Sequence, residues 1–297
     1  MSYRPLIKVE EFGARLDWAT FSAPKDVEQA DHFRQFCQHF MHRERERWNV
    51  SKVGTIGDYD GEKIEDVFYG SREHDGHEII TTHGENTCRL VEEVIAHEIP
   101  AKVTRLDARV LARCDAPAFE YPDRIRRAIL NAGKAEGKNR RKKINLFGND
   151  YGFDGTTVGA RSSEKFLRIY DHDSKHGDGP TGRYWAHEGE YKGGSAIAAF
   201  EGYKSAPNRE AYCAGLVRST LKSMRVPCEW LKDVQDVKIV VGRKITTDDK
   251  RLLYQEKIGI PMLERLILAG RGEEVKALLI ARGIDKLFAV GENQLPK

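Results

Sequence analysis

Residues 156–192, TTVGARSSEKFLRIYDHDSKHGDGPTGRYWAHEGEYK, decide the fold of this chain. The stretch contains two short runs with aromatic and β-branched residues, FLRIY (166–170) and HEGEY (187–191), on either side of a polar, glycine-rich loop. Runs of this kind, bounded by turn-forming residues, are typical of β-strands. Side chains alternate between the two faces of a strand, so Arg168 and Tyr170 share one face of the first run, and Glu188 and Glu190 share one face of the second. The stretch therefore predicts two strands whose polar faces meet in one sheet.

The polar residues of these runs have the chemistry of phosphoryl transfer. Tyr170 and Arg168 share a face of the first run. Glu188 and Glu190 share a face of the second, and the strand-like run VTRLDARV adds Asp107. A phenol with a pKa of about 10 needs a base or a nearby cation to attack at neutral pH, and Mg²⁺ and Mn²⁺ prefer carboxylate ligands. Spacing alone leaves two interpretations open: metal-assisted attack on a DNA phosphate, or a packed tyrosine beside carboxylates on a solvated strand edge.

These motifs resemble the replication initiation factor family. TTVGARSSEKFLRIYDHD is similar to that family's small-residue turn, G-x-R-x-S and aromatic-rich strand ending in R-I-Y-D/E-K. RLDWATFS (15–22), THGENTCRLVEE (82–93) and KVTRLDARV (102–110) follow in the family's order. The resemblance covers residues 13–200, with looser similarity through TTDDKRLLYQEKIGIPMLERL. Members initiate rolling-circle replication of small plasmids and filamentous phages, and a related branch acts as relaxases of conjugative elements.

The resemblance implies a role for each polar residue of the motif strands. It implies that Tyr170 cleaves DNA, forming a 5′-phosphotyrosyl link and freeing a 3′-hydroxyl. From its place on the same face of the strand, Arg168 is expected to supply positive charge to the phenolate or to the scissile phosphate. Three carboxylates are implied as ligands of Mg²⁺ or Mn²⁺: Asp107, Glu188 and Glu190. We expect two further basic residues to contact DNA: Arg161 of the G-x-R-x-S turn and Lys192. Three tyrosines remain as alternative nucleophiles: Tyr151, Tyr184 and Tyr191.

The chain departs from the family pattern at several positions. His172 lies two residues after Tyr170, where the family usually has lysine, so the cation that assists the nucleophile is either absent or supplied by Lys175. Gly189 replaces a bulky strand residue and indicates a bulge or a close backbone approach. His187 lies where the family tends to have arginine. It is either an additional ligand or proton acceptor, or an exposed strand histidine.

A strongly basic segment precedes the motif strands. Residues 124–143 contain nine basic residues and one acidic residue, Glu136. Nine minus one gives this segment a net charge of +8, whereas the net charge of the whole chain is +3. This density suits a phosphate backbone, since each neutralised phosphate releases a counterion. A solvated loop is the alternative interpretation. Five residues of the segment are our candidates for DNA contacts: Lys138, Arg140, Arg141, Lys142 and Lys143.

Composition excludes several classes of protein. The chain of 297 residues is 40% hydrophobic, enough for one large or two medium domains. Its five cysteines are scattered without a CxxC pair, which disfavours a disulfide framework or a zinc site and indicates a reducing compartment. The sequence shows no long apolar run, no signal-peptide core and no GxxxxGK[ST] phosphate loop. We therefore expect a cytoplasmic protein without a membrane partner or a nucleotide cofactor.

The wider pattern predicts an α+β fold. RLDWATFS predicts a first strand, residues 27–48 a helix, and residues 49–82 a hairpin or meander. Helical patterns dominate the last third of the chain. We therefore predict an antiparallel sheet with flanking helices that carries the active site within residues 1–205. A smaller, mainly helical region is predicted for residues 206–297.

Together, these features predict a metal-dependent enzyme that nicks and transfers a DNA strand to initiate rolling-circle replication of a plasmid or phage. The expected partners are origin DNA, single-stranded or cruciform, a host helicase and a host polymerase. One tyrosine per chain favours a homodimer for termination. Two alternatives stay open: a conjugative relaxase with the same chemistry, and a non-catalytic DNA-binding regulator on the same scaffold.

Overall fold

The structure, a computed structural model, divides the chain into two compact units, Met1–Val241 and Gly242–Lys297. The described residues are 6–24, 28–48, 54–56, 59–72, 76–135, 143–149, 152–176, 179–239 and 268–271. In the second unit, the described residues are 268–271. The other parts of the helices predicted for this unit lie outside the described residues. The predicted division at residue 205 stays a prediction.

Ten strands and six α-helices occur among the described residues of the first unit. The strands are β1 (Val9–Pro24), β2 (Gly54–Ile56), β3 (Tyr59–Ile64), β4 (Val67–Arg72), β5 (His77–His83), β6 (Lys102–Cys114), β7 (Ile144–Asn149), β8 (Gly152–Val158), β9 (Lys165–Asp171) and β10 (Tyr184–Lys192). The helices are α1 (Glu28–Trp48), α2 (Asn86–Ala96), α3 (Tyr121–Ala135), α4 (His172–His176), α5 (Gly194–Ser205) and α6 (Arg209–Ser223), with a 3₁₀ helix at Glu229–Leu231. Within the described ranges, no helix combines the length and the apolar character needed to cross a bilayer.

The ten described strands form one antiparallel sheet in the order β2-β3-β4-β5-β1-β6-β10-β9-β8-β7. The runs FLRIY and HEGEY pair directly with each other, as parts of β9 and β10. On its other side β10 pairs with β6, and β6 pairs with β1. The predicted α+β fold, an antiparallel sheet with flanking helices, is therefore confirmed. The strands that carry the predicted site are neighbours near the middle of the sheet.

One face of the sheet, the helix-covered face, carries apolar residues. On β6 these include Leu106, Ala108 and Val110, and on β9 they include Leu167 and Ile169, all of them buried. Side chains from α1, α2, α3, α5 and α6 join the same apolar cluster. Burial of apolar surface, worth roughly 25 cal/mol per Å², therefore holds these five helices against one side of the sheet.

The opposite face, which we call the polar face, carries the charged residues between the apolar ones. Arg105, Asp107 and Arg109 alternate with the apolar residues of β6. Glu188 and Glu190 alternate in the same way on β10. This period of two is expected of strands with one face against a core. The charged residues of neighbouring strands consequently lie side by side.

Helix α6 packs across β10 on the helix-covered face. The Tyr191 hydroxyl donates a hydrogen bond to the Leu216 carbonyl oxygen at 2.8 Å and lies 2.7 Å from Thr220 Oγ1. A Cβ added at Gly189 would lie 3.0 Å from the Tyr191 hydroxyl and 3.3 Å from Thr220 Oγ1. The pairing of β10 with both neighbours runs through Gly189 without a register shift. Gly189 therefore marks a close approach and not a bulge.

Candidate active site on the polar face

Neighbouring strands bring the predicted site residues together. Glu188 of β10 is paired with Arg168 of β9, and Glu190 is paired with Asp107 of β6. Tyr170 follows Arg168 by two residues on β9 and therefore shares its face. Directly opposed side chains of an antiparallel pair are about 5 Å apart, so these five residues form one cluster. Its three carboxylates are 0%, 1% and 4% exposed.

Tyr170 lies at one end of this cluster, with its hydroxyl between a carboxylate and an ammonium group. The side chain is 5% exposed. Its hydroxyl donates a hydrogen bond to Glu188 Oε1, and Lys175 Nζ donates to the hydroxyl oxygen at 3.1 Å. Burial, together with the charge of Glu188, raises the pKa of Tyr170 well above its usual range. Burial also raises the pKa of Glu188, which makes this carboxylate a stronger proton acceptor than a solvated one.

The short helix α4 positions Lys175. Asp171, the last residue of β9, caps this helix by accepting hydrogen bonds from two backbone N–H groups of its first turn at 3.1 and 3.2 Å. The other carboxylate oxygen of Asp171 accepts from the backbone N–H of Gly182 at 2.6 Å, which ties the loop before β10 to the same side chain. Lys175 Nζ lies 4.7 Å from the centroid of the Tyr170 ring. Lys175 is therefore a cation beside the candidate nucleophile.

Basic side chains neutralise the three carboxylates. Arg168 Nη2 lies 2.9 Å from Asp107 Oδ2 and 2.8 Å from Glu188 Oε2. Arg105 donates two hydrogen bonds to Asp107, of 2.9 and 2.6 Å, and its Nη2 is 3.0 Å from Glu190 Oε2. Burial raises the pKa of Asp107 to about 6, against the lowering effect of both arginines. The guanidinium expected to assist the nucleophile is thus held by the carboxylates.

The three carboxylates suit a hard divalent cation by their chemistry. Carboxylate oxygens are the ligands that Mg²⁺ and Mn²⁺ prefer, and here they approach one region from β6 and β10. In their present arrangement, however, the described residues contain no group of three or more His, Cys, Asp or Glu side chains spaced to hold a metal ion. Guanidinium nitrogens of Arg105 and Arg168 lie between the acids, so the distances between the carboxylates fit ion pairs with arginine.

Asp17 is a further buried carboxylate close to the cluster, and the sequence analysis did not identify it. A register shift between Leu16 and Trp18 makes Asp17 an extra residue on β1. Its Oδ1 lies 2.9 Å from Nη1 of Arg109 on the polar face of β6. Alternation in RLDWATFS places Asp17 on the face opposite to Leu16 and Trp18, but the sequence carries no signal for the bulge.

A cleft of about 1440 Å³ opens onto the polar face. Its walls include Glu188 and Lys175, the two partners of the Tyr170 hydroxyl. At the β1 end of the cleft, Trp18 and His83 stack with ring centroids 5.3 Å apart. Both partners of the hydroxyl therefore face this cleft, and so does an aromatic surface farther along.

Tyr184, Tyr191 and His187 lie away from the cluster. Tyr184 lines the cleft. His187 and Tyr191 are fully buried on the helix-covered face, where His187 Nε2 lies 2.9 Å from the Tyr121 hydroxyl. Burial lowers the pKa of His187 to about 4. The expectation that His187 is a ligand or an exposed histidine is therefore wrong, because strand alternation turns it away from Glu188. Tyr151 lies outside the described residues.

Three of the predicted DNA contacts are described. Lys143 and Arg161 are exposed. Lys192 Nζ donates to the carbonyl oxygen of Arg161 at 2.7 Å and lies 2.5 Å from Glu190 Oε1, so its charge is engaged within the protein. The remaining predicted contacts lie outside the described residues: Lys138, Arg140, Arg141 and Lys142.

No protein-family model and no curated protein matches the chain. Among solved structures, the chain is similar to a rolling circle replication initiator protein from Geobacillus stearothermophilus, with 17% identity, a TM-score of 0.45, and coverage of 78% of this chain and 100% of that chain. It is also similar to the regulatory subunit of aspartate kinase from Thermus flavus, with 12% identity, a TM-score of 0.15, and coverage of 65% and 95%. Both TM-scores are low, so the functional argument rests on the residues of the site.

Proposed function

We propose that this protein nicks and rejoins one strand of DNA through Tyr170 and so initiates rolling-circle replication. The observation that carries the proposal is the Tyr170 hydroxyl between Glu188 Oε1 and Lys175 Nζ, at the edge of a buried cluster of carboxylates and arginines. A hydroxyl flanked by a proton acceptor and a cation has the surroundings of an activated nucleophile. The similarity of the motif strands to replication initiation factors supports DNA as the substrate.

The proposed nicking step transfers one proton to Glu188 and a second proton to the leaving oxygen, and it exchanges one bond at phosphorus. The Tyr170 proton passes to Glu188 Oε1 as the phenol oxygen attacks, because a phenol with a raised pKa keeps its proton until a base takes it. Lys175 Nζ, 3.1 Å from the same oxygen, offsets the negative charge that develops on it. The bond between phosphorus and the 3′-oxygen breaks, and that oxygen takes a proton from water. The product is a 5′-phosphotyrosyl link and a 3′-hydroxyl primer, and the reverse reaction rejoins the strand.

The carboxylate cluster is the proposed site for Mg²⁺ or Mn²⁺. Asp107, Glu188 and Glu190 would hold the ion through oxygen atoms that match the preference of hard divalent cations. When bound, such an ion supplies positive charge to a non-bridging oxygen of the phosphate.

The cleft on the polar face is the proposed path of the DNA strand. The stacked rings of Trp18 and His83 offer a surface on which unpaired bases can stack. Exposed Lys143 and Arg161 are proposed to contact phosphates outside the cleft. A nick supplies a primer but neither unwinds nor copies DNA, so a host helicase, a host polymerase and a second copy of this chain are the proposed partners.

The decisive experiment uses a supercoiled plasmid carrying the cognate origin, incubated with the protein and Mn²⁺. We expect relaxed plasmid and a covalent protein–DNA adduct that survives denaturation. Tyr170→Phe is expected to abolish the adduct and keep DNA binding. The matched control is Tyr184→Phe, which removes a hydroxyl from the same cleft and is expected to keep the adduct. An adduct formed by Tyr170→Phe would show that another residue is the nucleophile.

The two alternative functions give different results. A conjugative relaxase shares the adduct and differs in the DNA that it recognises, so nicking at a transfer origin and not at a replication origin would favour it. A non-catalytic regulator would bind the origin without relaxing it. Binding without an adduct, at any concentration of Mg²⁺ or Mn²⁺, would overturn the enzyme proposal.

A further inference from the structure

We propose that the Arg168 guanidinium occupies the position that a divalent cation takes among the three carboxylates, so that arginine and metal exclude each other. The inference rests on the proposed function, because it assumes that Asp107, Glu188 and Glu190 are the metal ligands. The nicking chemistry does not require this exchange: the Arg168 guanidinium must move away from the carboxylates before the divalent ion binds.

A single nitrogen of Arg168 lies among all three acids. Nη2 is 2.9 Å from Asp107 Oδ2, 2.8 Å from Glu188 Oε2 and 3.9 Å from Glu190 Oε2. The carboxylates approach this point from two neighbouring strands. Distances from Mg²⁺ to oxygen are about 2.1 Å, so the acids as they stand are spaced around a nitrogen rather than around a metal. This agrees with the lack of a preformed metal cluster within the described residues.

The charges of the cluster already balance. Its three carboxylates face three cations, whose closest nitrogen-to-oxygen distances in the cluster are 2.6, 2.8 and 2.5 Å: Arg105, Arg168 and Lys192. All three acids are less than 5% exposed, and an unbalanced charge at such depth is strongly unfavourable. Adding a divalent ion to a balanced cluster would leave an excess of two positive charges. At least one of the three cations therefore has to move away when the ion binds.

Arg168 is the cation best placed to leave. Arg105 makes two hydrogen bonds to Asp107 and lies over the Trp18 ring, with Cζ 4.1 Å from its centroid. Lys192 is held by a carbonyl oxygen at 2.7 Å as well as by an acid. Arg168 Nε, by contrast, has no hydrogen-bond partner among the described residues. Arg168 also lines the cleft, so its side chain has open space beside it.

The exchange would couple metal binding to DNA binding. Without the ion, the Arg168 guanidinium supplies positive charge to the buried acids. With the ion in its place, the guanidinium is free at the wall of the cleft, where a DNA phosphate is the natural partner for it. A protein that holds the ion would then present one more cation to DNA than a protein without it.

The test is direct titration of the protein with Mn²⁺ in the absence of DNA. Binding is measured by calorimetry and by the loss of the electron paramagnetic resonance signal of free Mn²⁺. We expect Arg168→Gln to bind Mn²⁺ about tenfold more tightly than the wild type or better, because the ion no longer competes with a guanidinium. The matched control is Arg218→Gln, which removes a half-buried arginine paired with Asp236 on the other side of the sheet, and it should bind Mn²⁺ as the wild type does. An Arg168→Gln protein that binds Mn²⁺ no more tightly than the wild type, or not at all, overturns the proposal.

A measurement on the wild type covers the case in which the variant does not fold. With arginine side chains labelled with ¹⁵N, we expect saturating Mg²⁺ to change the Arg168 guanidinium from restrained to freely rotating. An unchanged Arg168 signal in Mg²⁺-saturated protein overturns the proposal. Neither experiment involves cleavage, so failure to nick would remove the proposed function and leave the exchange intact. Failure of the exchange would leave nicking through Tyr170 untouched.

Discussion

Burial changes the acid–base chemistry of single residues at this site. The pKa of Tyr170 and that of Glu188 are both raised, first by burial, so both side chains resist carrying charge away from water. A hydrogen bond between them lets one proton serve both groups. Lys175 then reduces the cost of negative charge on the phenol oxygen. The Tyr170 hydroxyl is therefore hydrogen-bonded to Glu188 and Lys175, whereas Arg168 forms ion pairs with the carboxylates.

Glu188→Gln tests the proton acceptor. Glutamine has the size of glutamate and can still accept a hydrogen bond from Tyr170, but it cannot take the proton. We expect the rate of single-turnover nicking to fall by about 10²- to 10⁴-fold, as is typical for loss of a general base. Glu210→Gln, in the wall of the same cleft, is the control and should keep the rate. Equal rates for both variants and the wild type would show that Glu188 is not the base.

Lys175→Met tests the cation beside the phenol oxygen. Methionine keeps much of the length and apolar stem of lysine but removes its charge. We expect nicking to slow on the order of 10- to 100-fold, because the developing phenolate loses its positive neighbour at 3.1 Å. Lys175→Arg should recover part of the rate, since it restores a positive charge. DNA affinity, measured by fluorescence anisotropy, separates this effect from weaker binding; a rate unchanged in Lys175→Met would contradict the assignment.

At the scale of the elements, β10 presents different chemistry on its two faces. Glu188 and Glu190 point to the polar face, whereas His187, Gly189 and Tyr191 point to α3 or α6. A shift of one residue in the pairing of β10 would exchange the two sets, placing carboxylates in the core. Gly189, together with the contacts of His187 and Tyr191 with the helices, therefore fixes the register of β10. This register places Glu188 and Glu190 in the carboxylate cluster.

Gly189→Ala tests the close approach of α6 to β10. The new Cβ would lie 3.0 Å from the Tyr191 hydroxyl and 3.3 Å from Thr220 Oγ1, so one of them has to move. We expect the free energy of unfolding in urea to fall by about 1–3 kcal/mol, as for other overpacked sites. Gly13→Ala is the control, because its Cβ would meet no atom closer than 4.0 Å. Equal stability of the two variants would mean that α6 does not approach β10 this closely.

The contact between β10 and α3 predicts a pH dependence of stability. The pKa of His187 is about 4 in the folded protein and about 6.5 when unfolded, so between these values the unfolded chain binds a proton that the folded protein does not. The resulting stability is complete above about pH 6.5 and is lost as the pH falls through 4, by up to about 1.4 kcal/mol per pH unit.

Urea unfolding of the wild type and of His187→Gln at pH 7, 6 and 5 measures this effect. We expect the wild type to lose more stability than the variant on acidification. Asp107, whose folded pKa burial raises to about 6, changes stability in the opposite direction, but it is common to both proteins and cancels in the comparison. An imidazole signal of His187 that titrates near pH 6.5 by NMR would contradict the prediction.

At the scale of the whole molecule, the core joins residues from both sides of the predicted division. Leu216, Val217 and Leu221 of α6 are 0% exposed and belong to the same apolar cluster as the strands. Loss of one such side chain typically costs about 2–5 kcal/mol, and a whole domain is stable by only about 5–15 kcal/mol. The helix that follows residue 205 therefore belongs to the same core as the strands of the sheet.

Two truncated chains test this conclusion. A chain ending at residue 241 keeps the first compact unit, and we expect a single cooperative unfolding transition by circular dichroism. A chain ending at residue 205 lacks α6, exposes the apolar surface of β10 and β6, and should fail to fold. Cooperative unfolding of the shorter chain would instead support a division into domains at residue 205.

The elements and the polar rows were predictable because their signals are local. Alternation in FLRIY, HEGEY and VTRLDARV predicted which side chains share a face, and a strand keeps that period wherever it lies in a sheet. The same reasoning grouped Tyr170 with Arg168 and Glu188 with Glu190. It missed Asp17, because a bulge breaks the period at one residue and has no reliable mark in a single sequence.

Which charges pair depended instead on the packing of strands that are far apart in the chain. That Lys175 lies at the Tyr170 hydroxyl, and that Arg168 lies among three acids, follows from the register of β1, β6, β10 and β9 and from the cap at Asp171. Coulomb energies and pKa values depend on distances of a few ångströms and on depth below the surface, and sequence spacing contains neither quantity. The residues of the candidate site were therefore predictable from the sequence, whereas their partners and their protonation depend on the assembled sheet and on the helices that cover it.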